Sequence, residues 1–573
     1  MAGGLLGTAV SGLMAFQRSL DTTGHNIANV NTEGYSRQHT DLATRPPQFT
    51  GAGYVGRGVD VDNIARSYNQ FVTAQLRSST STFGDVDRYH QLATQVDNLL
   101  ADPSTGMAPA IKDFFNAVNE VADDPASIPA RQVMLSESEI LTQRFHTMDA
   151  RFDEMTAQVN QDMKISVDEI NSLAKSIADL NVRIVGETGR TANGQQPNDL
   201  LDQRDQALVK LSELIDVSVL PQDDGSISVF IGQGQALVLA ARATEFSVRP
   251  AELDPQRMEI VMGTQDVTRS LSGGKLVGML RFRDEVLNPA KQQLGRVAAG
   301  MAMEFNAIHG NGYDLNGQQG TDFFNFGTPQ VAVNKTAGTV GDISVSFQDV
   351  NLNPGAAGDL DFSDFQLDYD GSNYTLTRLA DNSSVNLQLV AGKLVVPTPP
   401  AVPGDKLPGI TITVNTALNA NDRFLIKPTD NAAQKLAVNV TDTRKIAAAT
   451  NIATDSAGTS YVVNGPMPGD NRNALLLANL EHKQSMIGGT ATFQDSYGQI
   501  VSSTGTLTHA AELSATAQQT LLNQAQESWQ NVSGVNLDEE AANLIKFQQS
   551  YQAAARVISV TSTLFDTLIG AVR

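Results

Sequence analysis

The chain contains no cysteine, which excludes disulfide scaffolds, thiolate nucleophiles and thiolate-held zinc. Aromatic residues make up 6% of it, with one tryptophan, Trp529, so its cores are expected to rest on Leu, Ile, Val and Ala. Basic residues are outnumbered, 40 Lys and Arg against 62 Asp and Glu. A net charge of −22 repels phosphate-rich partners, because binding them needs basic surface, so neither nucleic acid nor membrane is expected as a partner. No apolar run reaches the about 18 residues that a bilayer span needs. Residues 1–17 have no basic n-region, so the protein is expected to be secreted, if at all, without a cleaved signal peptide.

Catalytic patterns are as scarce. The seven histidines, at 25, 39, 90, 146, 309, 482 and 509, are scattered and form no HExxH pair, and a Gly-x-Ser-x-Gly elbow is missing. Gly51-Ala-Gly53-Tyr-Val-Gly56 has the spacing of a dinucleotide loop, but it follows Pro46-Pro47 and leads into alternating Val59 and Val61 instead of opening a helix, so it reads as a turn. Asp368-Tyr-Asp370-Gly371 starts like a calcium loop, yet the twelfth position is Leu379, where a bidentate acid is needed. A hairpin turn fits better. No enzyme, catalytic residue, metal site or cofactor is expected.

What the sequence does have is a matched pair of ends. Leu6, Ala9, Leu13, Phe16, Leu20, Thr23, Ile27 and Val30 step three and four residues in alternation, as do Leu544, Phe547, Tyr551, Ala554, Ile558, Thr561, Phe565, Leu568 and Val572. A 3.5-residue period keeps one helix seam facing a partner helix, so the termini are expected to find each other or copies of themselves. Residues 1–50 are neutral and 541–573 carry a net +2, leaving the acidic charge between them. Gln17, Ser19, Thr22, Gln548, Gln549, Ser550, Ser559 and Thr563 make the polar faces neutral, which suits burial against further subunits because no charge need be desolvated.

Between the ends, helix is expected from Ile64 to Leu100, over 107–186 with Met163, Val167, Ile170, Ala174, Ile177, Leu180 and Ile184 on one face, over 199–215, over 275–309, and through most of 431–531. Period-two alternation over 217–270, such as Ile227, Val229 and Ile231, indicates strands. Residues 326–430 contain neither Glu nor His and read as an inserted β domain. The expected fold is α+β, multidomain and elongated. Residues 1–45 with 537–573 make a terminal coiled coil. Residues 46–216, 273–325 and 431–536 make a helical body, with a β-rich segment at 217–272 and an outer β domain at 326–430.

The stretch Ser11 to Gln38, centred on Asn29-Val-Asn-Thr32-Glu-Gly34-Tyr35, resembles the N-terminal motif of bacterial flagellar rod, hook and hook-associated proteins. Asn26, Asn29, Thr32, Gly34, Tyr35, Ser36, Arg37 and Gln38 carry it, and Tyr35-Ser-Arg-Gln38 narrows it to the hook–filament junction members. Ser533 to Tyr551, Leu564 to Leu568, Phe282 to Pro289 and Asn311 to Gly317 are similar to the same proteins, whereas 326–430 matches no family in this reading. The resemblance implies export through the flagellar type III apparatus and a structural adaptor that joins hook to filament by polymerising through its terminal helices. Self-association is implied too, as are the hook protein and the second junction protein as neighbours, and a cytoplasmic export chaperone on the C-terminal region. Two alternatives stay open: another axial component of hook type, or a surface-displayed carbohydrate-binding or hydrolytic β module using Asp364, Asp368 and Asp370.

Overall fold

The computed structural model describes residues 2–49, 51, 53–102, 106–190, 195–333, 341–397, 400, 406–450, 452–454, 460–462 and 468–572. It opens with α1 (Ala2–Ala28). The chain leaves this helix through Gly34 at φ +78°, a left-handed conformation in which a side chain is strained. A hairpin follows: β1 (Gln38–Thr44), then β2 (Gln48–Phe49) and β3 (Tyr54–Val55) at its tip, then β4 (Val59–Arg66). β1 and β4 pair antiparallel from Gln38 with Arg66 to Thr44 with Val59.

Two expectations change here. Ile64 lies in β4, and the helix expected to begin there starts at Gln70. A domain boundary between residues 45 and 46 also cuts the hairpin, which lies along α1: the backbone N–H of Val59 donates to Ser11 Oγ at 3.2 Å. A Cβ on Gly58 would stand 2.0 Å from that oxygen, so glycine permits this approach. Ser19 and Thr22 are buried on the hairpin side, Thr40 donating to Thr22 at 3.3 Å. Part of the neutral face expected to meet other subunits is thus covered by the chain itself.

The helical body is built from α2 (Gln70–Ala101), α3 (Met107–Asp123), α4 (Ile128–Arg190), α5 (Asn198–Leu214), α6 (Gly274–Phe282) and α7 (Asn288–Asn311). At 1.5 Å per residue α4 extends about 95 Å, and the seven residues placed on its apolar face are all buried. A π turn, Arg283–Leu287, interrupts the helix expected over 275–309. The sparse phenylalanines are concentrated: Phe305 packs against Phe114 at 5.4 Å and Phe323 at 4.9 Å between ring centres, all fully buried. That part of the core rests on aromatics and not on aliphatic residues alone.

Residues 217–266 form a four-stranded and a three-stranded antiparallel sheet. Their Ile227, Val229, Ile231, Phe246 and Ile260 share one core with α4 and α5, so this segment closes the body. Asn171 on α4 ties it down, exchanging hydrogen bonds with the backbone of Phe246 at 2.9 and 2.8 Å. The later β domain is one antiparallel eight-stranded sheet in the spatial order Gln330–Val333, Asp422–Lys427, Phe365–Tyr369, Tyr374–Arg378, Ser384–Val390, Lys393–Val395, Ile410–Val414, Ile343–Phe347. Its own core, including Leu367, Ile412 and Phe424, reaches Ala299 and Met303 of α7. Residues 398–399 and 401–405 of the proline-rich segment lie outside the described residues.

The remaining helices are α8 (Ala356–Asp359), α9 (Ala432–Lys435), α10 (Arg472–Ala478), α11 (Phe493–Ser533) and α12 (Leu537–Val572). Helix therefore does not dominate the first part of 431–531; among the described residues no α-helix lies between Lys435 and Arg472. A Thr492–Asp495 capping box starts α11. This helix packs along α2 in the opposite direction, Tyr497 donating to the Leu100 carbonyl at 2.8 Å and Leu522 meeting Leu76 at the other end.

Candidate assembly interface

α1 and α12 lie side by side and run antiparallel, because the end of α1 meets the start of α12. Asn26 sits at this meeting point, 1% exposed, with both amide atoms engaged. Its Nδ2 donates to the Gln38 carbonyl at 2.8 Å and to Glu540 Oε2 at 3.0 Å. Its Oδ1 accepts from the Tyr35 hydroxyl at 2.7 Å and the Gln38 N–H at 2.9 Å. Glu540, 2% exposed, also takes Arg37 Nε at 2.7 Å, and the Arg37 guanidinium reaches Glu539 at 2.8 Å. The Arg37 N–H donates to the Ser533 carbonyl at 2.8 Å, so one residue holds the end of α11 and the start of α12.

The other half of the node fastens this pair to the body. The Ser36 N–H donates to Asp202 Oδ2 at 2.8 Å, and Gln38 Nε2 to Asp199 at 3.0 Å. Arg66 pairs with Asp202 at 3.0 Å and Asp205 at 2.6 Å. Burial pushes the Asp202 carboxyl up, against the pull of the Ser36 N–H and Arg66. Burial, then Asp199, Asp202 and Glu540, push the Tyr35 hydroxyl up and keep it a donor to Asn26. Asn29 and Thr32 act locally, Thr32 Oγ1 donating to Asn29 Oδ1 at 3.1 Å.

Five of the eight motif residues (Asn26, Tyr35, Ser36, Arg37 and Gln38) thus meet at one node. Sequence reasoning missed Glu540, Asp202 and Arg66. The available signal was Asn536 followed by three acids, since Asn536 Oδ1 caps α12 at the Asp538 N–H, 2.9 Å, and acids favour a helix N-terminus.

The heptad residues are placed unevenly. Ala9 and Thr23 on α1 and Thr561 on α12 are buried. Leu13, Phe16, Leu20, Ile27, Val30, Leu544, Phe547, Tyr551, Ala554 and Ile558 are half-buried. Leu6 at 41% and Phe565 at 54% are exposed, together with Leu5, Met14, Val557, Val560, Leu564 and Ile569. The side chains of Leu568 and Val572 lie outside the described residues. The helices close one seam on each other and leave a second apolar face open toward the far end of the pair.

No catalytic constellation gathers elsewhere among the described residues. Asp364 accepts from Gln292 at 2.9 Å, Asp368 from Gln366 at 2.9 Å, and Asp370 caps its own turn through the Ser372 N–H at 2.7 Å, three separate structural roles. No group of three or more acidic or His side chains among the described residues could hold a metal ion. No described helix is long and apolar enough to cross a membrane.

Comparison with known proteins agrees with this geometry. The family model of the flagellar hook-associated protein FlgK helical domain matches residues 93–324, and that of the flagellar hook-associated protein 1 D2-like domain matches 348–428. The latter corrects the expectation that the outer β domain matches no family. The flagella basal body rod protein model matches 6–35, and the flagellar basal body rod FlgEFG protein C-terminal model matches 526–571. Flagellar hook-associated protein 1 of Salmonella typhimurium is 36% identical over 99% of both chains, and that of Bacillus subtilis is 24% identical over 98% of this chain and 97% of its own. The solved flagellar hook junction protein FlgK from Burkholderia pseudomallei superposes with a TM-score of 0.69 at 26% identity, covering 80% of this chain and all of that one.

Proposed function

Since the chain belongs to the flagellar hook-associated protein 1 family, we propose that it is a structural, non-enzymatic adaptor joining hook to filament, polymerising through its terminal helices. The open apolar face of the α1–α12 pair carries this reading. A helix pair with Leu5, Leu6, Leu564, Phe565 and Ile569 exposed gains about 1.5–3 kcal/mol for each large side chain that a neighbouring copy buries. The Arg37–Glu540 node fixes how the pair stands on the body, so subunits docking through the pair place their bodies in register. The proposed partners are further copies of this chain, the hook protein on one side and the second junction protein on the other, with an export chaperone on the C-terminal region before secretion through the flagellar type III apparatus.

Complementation of a flagellated host lacking its own junction protein tests the reading. The full chain restores attached filaments, and a chain lacking 541–573 sheds filament subunits into the medium. If the truncated chain attaches filaments as well as the full one, the terminal helices are intramolecular packing and the adaptor mechanism is wrong.

A further inference from the structure

The hairpin tip presents Phe49 and Tyr54 to solvent, 63% and 76% exposed, with their rings edge to face at 5.4 Å. An exposed aromatic pair on a short hairpin loses packing energy unless a partner covers it. The tip is also the wrong sign for this protein. Residues 45–58 contain Arg45 and Arg57 and no acid, in a chain of net charge −22. Arg45 is paired with Asp60 at 2.5 Å, whereas Arg57 forms no ion pair among the described residues.

A complementary surface exists on another face. α2, α5 and α11 enclose a cleft of about 610 Å³ whose wall includes Leu76, Phe83, Val209, Leu522 and the half-buried Trp529. Its lining carries Glu33, Asp87, Asp205 and Glu213 against Lys210 and Lys275, a net acidic set in which Glu33, Asp87 and Lys210 form no ion pair among the described residues. The cleft opens beside Ser36 and Tyr68, at the base of the hairpin. The tip lies at the opposite end, past Gly58 beside Thr8 and Ser11. The paired strands set the two about 25 Å apart at 3.3 Å per residue, so the tip does not reach the cleft of its own chain.

We propose that the hairpin tip of one copy inserts Phe49 and Tyr54 into the α2–α5–α11 cleft of the next copy, with Arg57 meeting Glu33 or Asp87. The proposal rests on the self-assembly reading above and deepens it. A knob and a hole on different faces of one chain make a heterologous contact, which builds rings or helices instead of closed pairs. It would lock the bodies to one another outside the seam of terminal helices.

The absence of native cysteine allows a clean test. Gln48→Cys and Gln526→Cys, both at exposed positions, are combined in the full chain and expressed in the host lacking its junction protein. A short bismaleimide is added to flagellated cells, and attached filaments are scored separately. Covalent oligomers of the chain, absent from each single variant, are the expected result. Attached filaments without such oligomers assign the hairpin to another partner or to none and overturn the proposal while leaving the adaptor reading intact. Failure of the unaltered chain to attach filaments removes both. As a second measurement, the Phe49→Ala/Tyr54→Ala variant is expected to be exported normally and melt unchanged but to attach about tenfold fewer filaments, the scale of losing an aromatic anchor. Normal attachment by that variant also overturns the proposal.

Discussion

The helical body and the terminal helix pair are made of the same kind of segment, amphipathic helix with little charge on the apolar side, and they end in different states. In the body, α3, α4 and α7 bury Phe114, Phe145, Met163, Ile170 and Phe305 completely, and the large apolar side chains that α4 leaves exposed, Ile128, Val133, Ile140, Ile165 and Val182, are spread along its length. In the terminal pair, α1 and α12 cover each other only along one seam, and Leu6 and Phe565 at its far end stay in water. The body has three or more elements around each apolar stripe, whereas the terminal pair has two helices and, on one side only, a hairpin. Two helices cannot enclose each other's apolar faces, so the difference follows from the number of layers and not from composition.

This contrast can be tested by perturbing each side. The largest effect belongs to the body: Phe305→Ala empties a site lined by Phe114, Phe323 and Phe324 and is expected to cost about 3–5 kcal/mol, read as a lowered denaturation midpoint. A loss below about 1 kcal/mol would mean that the body is less tightly closed than its burial indicates.

Next comes the pH dependence of the body. Burial pushes the Asp149 carboxyl up to about 7, Asp153 and Asp430 raising it further against the pull of Lys291, whose ammonium stands 4.0 Å away. A carboxyl raised in the folded state binds more protons than the unfolded chain, so its contribution is complete below its ordinary value near 4 and is lost as pH rises through 7. Unfolding free energy is expected to fall by about 4 kcal/mol at most across that window, and Asp149→Asn to flatten the slope.

Smaller and more local is the node. Glu540→Ala leaves Arg37 and Asn26 without their shared acceptor and is expected to cost about 2–3 kcal/mol. The loss should appear as faster amide exchange at residues 26–40 with the melting of the body unchanged. If the body melts with it, the pair is not a separate unit. Smaller still, Gly34→Ala forces a side chain into φ +78° with Gln206 Cβ 3.1 Å away, at about 1–2 kcal/mol, read in the same exchange experiment.

How far the sequence was legible follows the same division. The apolar face of α4 and the seams of α1 and α12 were readable because periodicity is local. The node was not, because Asn26 and Glu540 are 514 positions apart and no pattern within either segment names the other. Val59 and Val61 alternate as a strand does, but Ile64 adjoins the strong helical pattern that follows and reads as its start, and only pairing with β1 places it in β4. The burial of Ser19 and Thr22 against the chain's own hairpin shows a further limit. A neutral face announces that something covers it without saying what.

The most direct test concerns the open face. Leu564→Asp/Phe565→Asp changes two side chains that are exposed in the single chain, so stability should move by no more than about 0.5 kcal/mol. In an assembled junction the same carboxylates would be buried without partners. Filament attachment is measured in the host lacking its own junction protein, with export followed in parallel. Normal export with shed filament subunits is expected; attached filaments at the level of the unaltered chain would rule out the open face as an assembly surface.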